Sequence, residues 1–180
     1  MKNIAFAAAL VAGLVAQPLA AQQALPVDCL YQNGGAELAN LITEDALSEA
    51  GFGEDAGEEG DEKLFAVMDA CAISHNVGAE HVEAFAIANL ANLVGGELRR
   101  RMVETGIDLV PVETLAVEFA RNPQLNIETY IDSRPDQFER PYSAVSSATG
   151  TDRDLILAWV GFYVAMRSQE IVMSERLGAS

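Results

Sequence analysis

Residues 79–102 read AEHVEAFAIANLANLVGGELRRRM, and apolar or small side chains fall on nearly every side of the helix this stretch predicts. A surface helix keeps a polar face, whereas one that is apolar all round has to be enclosed by others. The stretch therefore sets the fold class: all-α, a single compact bundle of about five helices with this one at its centre. Asn89 and Asn92 fall in the enclosed sector and need hydrogen-bond partners, since buried amides are almost always paired. Gly95 and Gly96 either break the helix or let another helix come close. Arg99, Arg100 and Arg101 follow toward its C-terminus, where positive charge is favoured by the backbone dipole.

Upstream, Leu64, Phe65, Met68, Cys71 and Ala72 recur at helical spacing and predict a helix over 61–75, with Cys71 facing inward. Before it, GFGEDAGEEGDE at 51–62 joins four glycines to six acids and reads as a mobile acidic loop. It lacks the ligand spacing of a calcium-binding helix-loop-helix. Leu38, Leu41, Ile42 and Leu47 predict a first helix from Ala36, and residues 22–33 read as an extended arm ahead of it. Downstream, Pro111 opens a helix carrying Val112, Leu115, Ala116 and Phe119, and a short helix is expected around 124–131. Residues 132–150 read as a long polar loop. Thr151 to Asp154 resembles a capping box for a last helix whose stripe runs Leu155, Trp159, Phe162, Met166, Met173 and Leu177. Its uncharged stretch, 155–166, is too short to span a bilayer. The helical domain thus covers 34–180.

Residues 1–21 have the three-part layout of a secretory signal: Lys2, an apolar run from Ile4 to Ala16, then Pro18 and the small pair Ala20 and Ala21. About thirteen apolar residues cannot cross the ~30 Å hydrocarbon core, so cleavage near Ala21 and no stable membrane insertion are expected. Without Lys2, 27 acids face 10 bases, a formal charge of −17. Residues 28–62 hold eleven acids and no base. Such a field repels phosphate backbones and anionic lipid surfaces and suits cations or basic proteins. An exported chain with only Cys29 and Cys71 is expected to join them in a disulfide.

Three groups of residues are candidates for chemistry or contact. Arg134, Phe138, Arg140 and Tyr142 bring bases and aromatics into the 132–150 loop and make it the leading contact surface. His75 and His81 are the only histidines; six apart across a turn, they lack the spacing of metal ligands on one helix, though a turn can bring them together. Phe85, Trp159 and Phe162 would line an interhelical site for a small apolar molecule. No nucleophile, metalloprotease, phosphate-loop or dinucleotide motif occurs, and no cofactor is implied. The reading is a periplasmic or secreted envelope protein with a non-enzymatic role, its partner another envelope protein. An enzyme or metal protein using His75 and His81 is the alternative.

Overall fold

The computed structural model describes residues 25–48, 51–53, 55, 57–122 and 126–178, without the side chains of 128, 132, 139–141, 143 and 144. The proposed leader at 1–21 lies outside the described residues. Those described are all-helical, with no strand: α1 (Cys29–Ser48), α2 (Gly57–Ser74), α3 (Val82–Glu104), α4 (Leu109–Ala120), α5 (Ile127–Asp132), α6 (Pro135–Thr149) and α7 (Arg153–Arg176).

α3 is the centre that its composition requires. It lies between α1 and α7, and buries Phe85, Ala88, Leu93, Val94, Leu98 and Met102. α7 is the second hub, meeting α3, α4, α6 and α5, while α2 lies outermost and packs mainly on α1. α7 is long and apolar enough to cross a membrane by length and composition, but Ile156, Val160, Tyr163 and Val164 are buried against its neighbours. Of the expected stripe, Trp159, Met173 and Leu177 are core residues and Leu155, Phe162 and Met166 are half-buried, while Ile156, Val160, Tyr163 and Val164 lie deeper.

Asn89 meets its expected need completely. Its Oδ1 accepts from the Leu30 amide at 3.2 Å, and its Nδ2 donates to the carbonyls of Pro26 and Phe85, both at 3.1 Å. One buried side chain thereby clasps the segment ahead of α1 onto α3. That segment corrects the extended arm: the helix already begins at Cys29, inside 22–33, and Gly35 (φ 66°, ψ −170°) kinks it instead of starting it. Only glycine takes that conformation cheaply, so one Gly lets two short helices follow each other across a kink.

Three further expectations change. α2 starts at Gly57, so the acidic loop shrinks; Glu58 and Glu59 fill the first turn, where negative charge offsets the exposed amides, and Asp55 accepts from the Gly57 amide at 2.7 Å. Residues 132–150 are not a loop, because α6 occupies 135–149, with Pro135 in its first turn and Gly150 (φ 75°) as its left-handed C-cap. The N-cap of α7 is Asp152, which accepts from the amides of Asp154 and Leu155. α4 keeps its expected place, capped by Asp108 through the Val110 amide at 3.0 Å.

A buried carboxylate joins α1 to α3. Glu97 is 3% exposed and accepts from Arg100 Nε and Nη2 at 2.9 and 2.6 Å and from Arg101 Nε at 2.9 Å. Arg101 continues to Glu44 at 2.6 Å and to Asn40 at 2.8 Å on α1. Arg100 also forks onto Glu104. Of the three consecutive arginines, two are thus spent inside the fold.

Candidate functional site

Cys29 and Cys71 form the expected disulfide, with both residues at most 3% exposed. The bridge ties the first turn of α1 to α2, as an oxidising compartment permits. Asn33 Nδ2 lies 3.2 Å from the sulfur of Cys29. α2 needs this tether, because among its residues only Gly60 and Cys71 are buried. Leu64, Val67, Met68 and Ala72 are half-buried against the core. Phe65, expected on the inner stripe, is 64% exposed, and Ile73 is 76% exposed. A helix at the edge of a bundle has one neighbour to cover it, so the rest of its apolar surface stays open.

That open surface has an order. Glu58, Glu62, Phe65, Asp69 and Ile73 are spaced by three or four residues and run down one line of α2, all exposed. Two large apolar side chains alternate with carboxylates along about four turns of helix. Ala66 and Ala70 flank the line and are also exposed.

Two residues past Ile73 the chain enters the turn that carries the histidines. His75 and His81 line one recess of about 620 Å³ with Leu25, Glu80, Glu175 and Arg176. His81 Nε2 is 3.8 Å from Glu80 Oε1, and no group of three His, Cys, Asp or Glu side chains among the described residues is placed to hold a metal ion. The recess contains no residue of 132–150.

The two aromatics of the contact surface expected at 132–150 face inward instead. Phe138 is 1% and Tyr142 3% exposed, and both belong to the core. Phe138 packs edge-on to Tyr130, with ring centroids 6.1 Å apart. The Arg134 guanidinium stacks over the Tyr130 ring at 4.0 Å, a cation–π contact within the fold. Arg140's side chain lies outside the described residues. Burial pushes the Tyr142 hydroxyl up to about 12, and that hydroxyl makes no hydrogen bond among the described residues. Tyr142→Phe should therefore leave stability unchanged or raise it by up to about 1 kcal/mol, because the desolvated hydroxyl returns nothing. Urea unfolding measures this, and a loss of stability would show an unseen partner. Phe85 and Trp159 are likewise core residues, with Phe162 packed against them, so the apolar trio builds the interior.

A polar network between α3, α4 and α7 was not expected. The Tyr163 hydroxyl donates to Glu113, whose other oxygen accepts from Arg167 Nε at 3.3 Å. Arg167 also pairs with Glu170 at 2.8 Å, and Glu170 accepts from Asn92 Nδ2 at 3.2 Å, which supplies the partner Asn92 required. Burial, then the Glu113 carboxylate, holds the Tyr163 phenol far above its ordinary range. For Arg167 burial works against the charge, but Glu170 and Glu113 outweigh it. The sequence did carry a signal, since Tyr163, Arg167 and Glu170 interrupt an apolar helix at spacings of four and three.

No family model, no curated protein and no solved structure matches this chain.

Proposed function

We propose that this chain is an exported, non-enzymatic interaction protein of the bacterial envelope, and that it docks its partner through the outer face of α2. The observation that carries this reading is the line Glu58, Glu62, Phe65, Asp69, Ile73, exposed on a helix whose other face and disulfide hold it to the bundle. Single exposed apolar residues are ordinary. Here two large ones alternate with acids on a rigid rod, which suits a partner segment that alternates apolar and basic side chains. The base-free acidic segment 28–62 adds a field of the same sign, which steers such a partner inward. Export rests on the leader-like residues 1–21 and agrees with the bridged cysteines.

Two measurements test the reading. Expression in a bacterial host should yield mature protein beginning within one or two residues of Gln22, with neither thiol open to alkylation. An intact N-terminus with two free thiols would overturn export. Cross-linking in envelope extract should capture a partner with wild-type protein and lose it with Phe65→Ser/Ile73→Ser, whose stability should stay within about 0.5 kcal/mol of wild type because both positions are exposed. Capture should weaken as salt screens the acidic face. Equal capture by the variant would refute α2 as the docking surface.

A further inference from the structure

We propose that the recess between α3 and α7 beside Gly96 binds a small zwitterion of the free amino acid class, its carboxylate on Arg99 and Arg167 and its ammonium on Asn92 and Glu170. The recess has a volume of about 250 Å³, below the range of drug-sized pockets, and its walls are these four residues with Tyr163 and the Gly95–Gly96 backbone. It is independent of the α2 surface.

Hydrogen-bonding capacity identifies the ligand. Both oxygens of Glu113 are engaged, by Tyr163 and Arg167, and both oxygens of Glu170 are engaged, by Asn92 and Arg167. Arg167 uses Nε and Nη1 in doing so and, among the described residues, keeps Nη2 unspent. Arg99 has neither an ion pair nor a hydrogen bond among the described residues, unlike Arg100 and Arg101 beside it, and its charge reaches the Tyr163 phenol. The unspent donors are therefore guanidinium N–H groups, which fit a carboxylate. Asn92 turns its nitrogen to Glu170, since a carboxylate only accepts, and this leaves Asn92 Oδ1 as an unspent acceptor beside the Glu170 carboxylate. An ammonium fits there.

Charge selects between ligand types. On the walls Arg99 and Arg167 face Glu170, and Glu113, bound to Tyr163 and Arg167 outside the lining, brings the group to two charges of each sign, which a lone anion or cation would unbalance. A molecule carrying both charges does not. Gly96 provides the opening: a Cβ there would meet nothing within 4 Å, while one at Gly95 would rest 3.7 Å from Met166 of α7.

The test is an NMR titration of the full mature protein at constant ionic strength with L-alanine, acetate and methylammonium. Alanine should give saturable shifts at the Gly95 and Gly96 amides and at Arg99 Nε, with acetate and methylammonium binding at least about tenfold more weakly. Arg99→Gln should weaken alanine by about tenfold or more, as loss of a charge-assisted hydrogen bond does. Gly96→Leu should fill the opening and abolish binding while the thermal midpoint holds or rises, since leucine is the better helix former and finds free space. The proposal is overturned by unsaturable shifts with alanine, by acetate binding as tightly as alanine, or by full affinity in Arg99→Gln.

Discussion

Replacing both bridged cysteines, Cys29→Ser/Cys71→Ser, should lower the unfolding free energy by about 4 kcal/mol, a large share of the roughly 5–15 kcal/mol that holds a domain folded. The sequence separation of 42 sets the size, because the bond forbids the unfolded chain all conformations in which the loop is open. The loss should also be uneven. α2 buries little besides Cys71, whereas α3 and α7 bury many residues against each other. Hydrogen exchange in the variant should therefore show α2 opening well before α3, and urea unfolding should give the total. A uniform rise in exchange, or a change below about 1 kcal/mol, would mean that α2 is held by packing alone.

Glu97→Ala should cost about 3 kcal/mol, the lower end for removing one partner from a buried ion pair. Arg101 is only 12% exposed on its side chain and would keep Glu44 and Asn40, which softens the loss; Arg100 is half-exposed and would keep Glu104. Acid should act on the same group. Burial alone would raise the Glu97 carboxyl, but hydrogen bonds and charge from Arg100 and Arg101 outweigh it and hold it below the ordinary carboxylate value. A folded-state value below the unfolded one adds stability that is full above pH of about 4.5 and drains as pH falls through the folded value. Wild type should lose stability in that acid window faster than Glu97→Ala does. Parallel stability curves for the two proteins would contradict this account of Glu97.

The central helix was legible at 79–102 because nothing but enclosure explains apolar residues on all its sides. Cys71 at an inner position made the disulfide legible too, and Asn89 announced a need whose partners only the fold could name. α6 was hidden by its composition. Phe138, Tyr142 and Val145 do recur at four and three, but Pro135 precedes them and Pro141 lies among them, and proline usually ends helices. Here Pro135 occupies the first turn, where no amide is needed. The kink at Gly35 had the opposite effect, since a Gly-Gly pair reads as a boundary although helix continues on both sides. Phe65 shows what periodicity leaves out: spacing gives a side chain its direction on a helix, while the neighbours decide whether that direction is covered.

α7 comes last among the described helices and yet supplies the surface on which α3, α4 and α6 close. A nascent polypeptide emerging from the ribosome therefore has no complete interior until residue 176 or so is made, and contacts this distant along a chain form slowly. For the export proposed above, delayed closure would leave time for threading through a translocation pore, which admits only unfolded polymer. A fragment stopping at residue 150 should accordingly give a circular dichroism spectrum with most helical signal missing, and a native-like spectrum would break the connection between topology and export.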